Sequence, residues 1–326
     1  MSQIQRAAAE QTGGAPFPDF FLVGAPRCGT TALSKYLSDH EQICFSRPKE
    51  PHYFSSVGED WERRWPSEYP RFFRHYSPEH RAVGEGSVSY LYAEHAIERI
   101  LRINPDARFI AQVRNPMQMV PSLHLRMLYL LQEDEPNFAK AWELQEARAG
   151  GQRIPRHCKD PRVLLYGEVG KLGAQIERLY AQAGRERSLV VVYDDLARDP
   201  RKVYEQVLGF LGLDDDGRGE FPRRQPSRTY RWRWLHSVLG QLAVPSGELL
   251  HERLGRADRK ANKKRLHGWR KRLRPKRIRK AMQAWNSAVE PPAALPEPLR
   301  QRLREHFAPD IQKLSALLDR DLTHWV

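Results

Sequence analysis

Residues 21–37, FLVGAPRCGTTALSKYL, decide how the chain is read. An apolar run stops at Gly24, a second glycine stands at Gly29, and a threonine pair opens an amphipathic stretch. The pattern predicts a buried strand over 19–24, a tight turn, and a helix to about Leu37. Small residues at such a turn let backbone amides point inward, and the helix N-terminus adds partial positive charge. The stretch is therefore an anion site in prospect.

Outward from it, strand patterns at 43–45, 82–87, 107–114 and 188–193 alternate with helical patterns. The helices fall near 94–103, 116–131, 166–183, 200–211 and 299–318, with Pro121 expected to kink the second and Pro200 opening the fourth. Residues 67–76, rich in aromatics, read as a helical insertion. Strands alternating with helices predict an α/β fold, a central parallel sheet flanked by helices on both faces. The periodicity weakens from Asp214 to Pro298, which includes PPAALPEP at 291–298. The expectation is one domain over 19–326 with a basic, loop-rich, lid-like region at 214–298, preceded by a disordered lead-in over 1–18.

The chain has 326 residues, 40% of them hydrophobic, enough for one large core. No run approaches the eighteen or so apolar residues of a spanning helix, and the N-terminus lacks a signal-peptide pattern. These features make a cytoplasmic home the expectation, with peripheral contact at the inner membrane face as an option. Cys28, Cys44 and Cys158 form no CxxC pair, so neither a zinc site nor a disulfide framework is indicated. The net charge is +14 and is concentrated: residues 253–280 hold fifteen Lys and Arg against Asp258, leaving 39 basic and 39 acidic residues elsewhere. Such a run suits an anionic partner. Trp269 is its lone aromatic and no RNA-binding or helix-turn-helix signature is present, so specific nucleic-acid binding is not expected.

Gly24–Gly29 has the G-x4-G spacing of a nucleoside-triphosphate loop, but Thr30 stands where that loop carries lysine. The cation is Arg27, two residues before the second glycine. That shift favours a phosphate met by a guanidinium and two hydroxyls over a β,γ-phosphate with magnesium. A P-loop small-molecule kinase is the competing possibility, with LVVVYDD (189–195) imitating a magnesium-binding strand end at Asp194 and Asp195.

VGAPRCGTTAL (23–33) resembles the 5′-phosphosulfate-binding loop of sulfotransferases that use 3′-phosphoadenosine 5′-phosphosulfate. The resemblance implies donor contacts from Arg27, Cys28, Gly29, Thr30, Thr31 and Ala32. VRNPMQMVPS (113–122) is similar to the second half of that family's signature, an Arg at a strand end with a Ser eight residues on; Arg114 and Ser122 would hold the 3′-phosphate. Arginine suits that task through two parallel charge-assisted bonds. RPKEPHYF (47–54) and GEGSVSYLY (84–92) resemble segments of the heparan-sulfate-type branch, and residues 303–325 resemble the closing helix and ending of bacterial members. The likeness runs from about residue 19 to the end and is weak over 214–298. Arg27 replaces a lysine common in the branch, and Gly86 replaces the lysine of its "EKTP" segment. Arg228 stands where the cation of a donor-covering loop would fall.

The resemblance implies a transferase that moves a sulfuryl group to a hydroxyl of a carbohydrate or glycoconjugate, with a lipid or small-metabolite alcohol as the alternative acceptor. Glu50 would take the hydroxyl proton, His52 would orient it or share the work, and Arg27 with Thr30 and Thr31 would stabilise the leaving phosphate. No metal is called for. Glu85 either lines the acceptor site or ties loops together. The basic run would attract an acidic acceptor, close over the donor, or touch an anionic surface.

Overall fold

The computed structural model describes residues 17–222, 228–230, 287–289 and 295–326. Five strands, β1 (Phe20–Gly24), β2 (Ile43–Phe45), β3 (Ala82–Gly86), β4 (Arg108–Val113) and β5 (Ser188–Val192), form one sheet in the order β2-β3-β1-β4-β5. Every neighbouring pair in it is parallel. The helices in chain order are α1 (Thr30–Ser38), α2 (Tyr53–Ser56), α3 (Trp61–Glu68), α4 (Ala96–Ile103), α5 (Pro116–Tyr129), α6 (Phe138–Glu143), α7 (Gln145–Ala149), α8 (Tyr166–Gly170), α9 (Leu172–Ala183), α10 (Tyr193–Arg198), α11 (Pro200–Leu211) and α12 (Glu297–Leu318). A short antiparallel ribbon, β6 (Arg228–Tyr230) with β7 (Ser287–Val289), has its β6 backbone beside α5.

The period of two along β1 explains the layering. Phe20 and Leu22 join Leu33 and Leu37 of α1 and Val207 and Leu208 of α11 in one core. Phe21 and Val23 join Ile97 and Ile100 of α4, Ile176 of α9 and Phe307 of α12 in the other. A strand buried on both sides reads as an unbroken apolar run, the mark of a parallel sheet between two helical layers.

Three local expectations are corrected. Phe17 and Pro18, assigned to the lead-in, are packed: Phe17 is 5% exposed against Phe21, Trp65 and Tyr69, and the Pro18 carbonyl accepts from Asn104 Nδ2 at 3.1 Å. The single helix expected over 166–183 breaks at Lys171 into α8 and α9. Asp310 of α12 causes a new start there, because its carboxylate accepts from the amides of Gly173 and Ala174 at 2.7 and 2.9 Å, an N-terminal cap supplied from another helix. The insertion at 67–76 is the end of α3 followed by a 3-10 turn at Pro70–Phe73.

From β1 the chain fills the β3 and β2 side of the sheet, then crosses to β4 and β5. The crevice at the carboxyl ends of strands around such a switch point is where open α/β sheets bind ligands.

Candidate active site

Five strand ends feed one cleft of about 2080 Å³. It is lined by the turn after β1, the segment after β2 with Glu50 and His52, Ser89 and Tyr92 after β3, Arg114 after β4 and Tyr193 after β5.

The turn after β1 depends on its two glycines. Gly24 has φ +151, and a Cβ there would lie 2.8 Å from Leu91 Cβ and 3.0 Å from the Val88 carbonyl oxygen. Gly29, the cap of α1, has φ +90 and would press a Cβ to 2.9 Å from Leu196 Cδ2. The left-handed backbone and the crowding both demand glycine. Gly29 offers no side-chain cap, so the first amides of α1 look into the cleft beside Thr30, which is buried, and Thr31, which is exposed. Cys28 is turned the other way: its side chain is fully buried, with Sγ 3.5 Å from Met119 Sδ, and burial pushes the thiol up to about 12. Any contact of Cys28 with a ligand in the turn would therefore come from its backbone.

Arg27 has a left-handed backbone, φ 64, that swings its side chain across the cleft. Its Nε donates to Ser122 Oγ at 2.9 Å, joining the turn after β1 to the inner face of α5. Arg114 donates through Nη1 to the Arg27 carbonyl at 3.3 Å and through Nη2 to Gln118 Oε1 at 3.0 Å, and its guanidinium lies 4.5 Å over the Tyr193 ring. Among the described residues its Nε is buried without a hydrogen-bond partner. Burial, then Arg126 and Arg114, hold the Arg27 guanidinium below its ordinary value, although it stays charged.

Arg126, one helical turn beyond Ser122, also lines the cleft. Neither Arg114 nor Arg126 has a carboxylate partner among the described residues. Sequence reasoning missed Arg126; its signal was the i, i+4 spacing from Ser122, which puts both on one helix face. An arginine cluster with a buried unpaired N–H, beside an uncapped helix N-terminus, fits a ligand bearing two separated phosphates.

The opposite wall carries the carboxylate. Glu50 and His52 both have left-handed backbone, φ 66 and 53, uncommon for such residues and of the kind found at functional sites. Glu50 Oε1 accepts from Lys49 Nζ at 2.5 Å, and Oε2 lies 3.2 Å from His52 Nε2. Burial alone would raise the Glu50 carboxyl; the His52 hydrogen bond and then Lys49 outweigh it and hold the group at about 2. His52 Nδ1 meets Ser89 Oγ at 2.7 Å, and its amide donates to Ser87 Oγ at 2.9 Å.

Glu85 ties loops together. It is fully buried and accepts from Ser87 (2.5 Å), Tyr69 (2.6 Å) and Tyr90 (2.8 Å). A Cβ at Gly86 would stand 3.0 Å from the Phe45 ring, so the aromatic packing of β2 occupies the space a longer residue would need. Between the walls, Arg162 donates to both oxygens of Asp160 and, at 2.8 Å, to the Ser55 carbonyl, while Tyr92 donates to Asp160 at 3.2 Å. Neither Asp160 nor Arg162 carries a motif, and their place was not legible.

Asp195, expected at a strand end for the kinase alternative, lies past the end of β5 on α10 and is paired with Arg320, one of its two contacts measuring 3.0 Å. Its carboxylate is committed to the turn after α12. Arg228 sits on β6, with its side chain outside the described residues, as is the basic run 253–280.

A sulfotransferase domain is matched over residues 17–287, and the chain belongs to the sulfotransferase family. It is thus a transferase by class. It is similar to a membrane-associated sulfotransferase, kil1, of Dictyostelium discoideum, at 26% identity over 132 residues, 39% of this chain and 26% of that protein. It is also similar to human bifunctional heparan sulfate N-deacetylase/N-sulfotransferase 3, at 25% identity over 211 residues, 60% of this chain and 22% of that protein. The chain spans about a quarter of the length of the curated relatives it matches. The crystal structure of a sulfotransferase from Alicyclobacillus acidocaldarius matches with a TM-score of 0.64 and 25% identity, covering 95% of this chain and 99% of that one.

Proposed function

We propose that this chain moves the sulfuryl group of 3′-phosphoadenosine 5′-phosphosulfate to a hydroxyl of a carbohydrate or glycoconjugate. The observation that carries the proposal is the Arg27–Ser122 bond, which joins two anion motifs in one cleft with Glu50 facing them. The donor supplies an activated sulfuryl group on a phosphate leaving group. Arg27, Thr30, Thr31 and the α1 amides hold the 5′ end and meet the charge that develops on the leaving oxygen. Arg114 and Ser122 hold the 3′-phosphate, a reading supported by the Arg114 Nε, which has no hydrogen-bond partner among the described residues. Glu50 accepts the proton of the acceptor hydroxyl, within the reach of Lys49 and His52, which keep it ionised at neutral pH.

The glycan acceptor is supported by the human relative's name, which specifies heparan sulfate, and by a cleft whose lining also holds Lys159 and Arg162. The test is calorimetric titration with adenosine 3′,5′-bisphosphate without magnesium, on the wild type and on Arg114→Ala. Binding that collapses in the variant is expected. Absence of binding to either protein, with ATP–Mg²⁺ bound instead, would return the assignment to a kinase. Acceptor class is then read by sulfuryl transfer to glycan, lipid-alcohol and small-alcohol panels.

A further inference from the structure

Tyr92, Asp160, Arg162 and Ser55 line the cleft together with Glu50 and His52. Arg162 donates from Nε to Asp160 Oδ1 at 2.7 Å, and from Nη2 to Asp160 Oδ2 at 3.0 Å and to the Ser55 carbonyl at 2.8 Å. Asp160 Oδ1 also accepts from the Arg162 amide at 3.2 Å, and Oδ2 from the Tyr92 hydroxyl at 3.2 Å. A guanidinium only donates, and a carboxylate gripped by it on both oxygens only accepts. The single proton of the Tyr92 hydroxyl therefore goes to Asp160, and the Tyr92 oxygen keeps lone pairs alone. Among the described residues no donor meets that oxygen.

The backbone under Tyr92 is fixed. Leu91, the residue before it, donates its amide to the Val23 carbonyl at 2.9 Å, and its own carbonyl accepts from Arg178 Nη2 at 2.6 Å. The Arg162 bond to Ser55 fastens the loop at 159–164 to α2, which follows His52 directly. Burial and then Asp160 raise the Tyr92 phenol, and the charge of Glu50 adds to the rise, so the carboxylate and the phenol share one neighbourhood.

Two groups that only accept thus meet an incoming substrate, the Glu50 carboxylate and the Tyr92 oxygen. A monohydric alcohol brings one proton and satisfies one of them. Resting on the reading of Glu50 as the base, we infer that Tyr92 is a specificity-determining residue that takes a hydrogen bond from a second hydroxyl of the same substrate. The sulfuryl acceptors are therefore polyols rather than monohydric alcohols. A carboxylate or sulfate in the second position brings no proton and leaves the Tyr92 oxygen unmet, which costs a desolvated acceptor its partner.

The test alters enzyme and substrate together. Transfer from 3′-phosphoadenosine 5′-phosphosulfate is measured for the wild type and Tyr92→Phe. The probes are methyl β-D-glucopyranoside, methyl β-D-galactopyranoside, their singly deoxygenated forms, and cyclohexanol as the monohydric reference. In the wild type, loss of one hydroxyl other than the sulfated one should lower kcat/KM about tenfold. Tyr92→Phe should lower transfer to the parent glycoside by the same factor and leave transfer to that deoxy form unchanged, so the two losses do not add. Its thermal midpoint and its titration with adenosine 3′,5′-bisphosphate should match the wild type. Equal fractional losses on every probe, or no loss on any, overturn the role of Tyr92 and leave the glycan reading standing. Transfer to cyclohexanol as fast as to the glycosides, or transfer to no glycoside, overturns the inference together with the glycan acceptor. Failure of the wild type to bind the bisphosphate is a separate outcome, which sinks the donor reading and this inference with it.

Discussion

Arg27 and Ser122, 95 residues apart, meet through a 2.9 Å bond from guanidinium to hydroxyl. The contact makes the turn after β1 and the helix after β4 one unit. Removing either partner should weaken adenosine 3′,5′-bisphosphate binding, Ser122→Ala by about 1–2 kcal/mol and Arg27→Ala by more, because charged hydrogen bonds are the stronger ones. A double-mutant cycle read by calorimetry should show coupling of about 0.5–3 kcal/mol, the range for contacting residues. Strict additivity would mean that the two sites act separately.

The glycines should separate stability from binding. Gly24→Ala places a methyl against Leu91 and the Val88 carbonyl on a left-handed backbone, a clash with fixed atoms. A loss of about 2–5 kcal/mol in chemical denaturation is expected, combining strain and overpacking. Gly29→Ala meets the movable end of Leu196 and should cost less stability, yet it reshapes the cap of α1 and should abolish donor binding.

The Glu50 carboxyl, held at about 2 against an ordinary 4.5, sets a pH window. A depressed carboxyl contributes stability that is complete above 4.5 and lost as pH falls toward 2. The Glu50 acid limb of transfer should therefore lie below the range in which the wild type is assayed. His52→Ala removes the largest lowering influence while burial still pushes upward and Lys49 still pulls down, so the limb should move upward from its wild-type position. Rates of sulfuryl transfer measured from pH 4 to 8 check it; an unmoved limb would separate His52 from Glu50.

Arg126 adds like charge next to Arg27 in the absence of an anion. Arg126→Ala should leave the thermal midpoint of the free protein unchanged or slightly higher. The rise in midpoint caused by saturating adenosine 3′,5′-bisphosphate should shrink, with affinity falling roughly tenfold, a loss of about 1–2 kcal/mol. An unchanged ligand-induced shift would place Arg126 outside the donor site.

The layers of the fold were legible because local chemistry carried them. The unbroken FFLVG run, the two glycines and the Asn115-Pro116 helix start each act over a few residues, and the strand and helix after them fall where the pattern put them. The break at Lys171 was not legible, since its cause is Asp310, more than a hundred residues away. Likewise, nothing near Asp195 announced Arg320, and nothing in the loop at 159–164 announced a place beside Glu50 and His52. The motif residues of the site could be found one by one. Their pairing, with Arg27 reaching Ser122 and Glu85 tied inward to two tyrosines, is set by topology.

The anchoring of Glu85 also sets a clock. The His52 amide hangs from Ser87, Ser87 from Glu85, and Glu85 from the hydroxyls of Tyr69 and Tyr90 inside the core. To swing away, the segment carrying Glu50 must break a chain that ends among the most buried rings of the molecule. The His52 amide should then exchange with deuterium only as fast as the whole domain opens, while amides of exposed segments exchange through local fraying. The wall that carries Glu50 is thereby pinned, link by link, to the hydrophobic core.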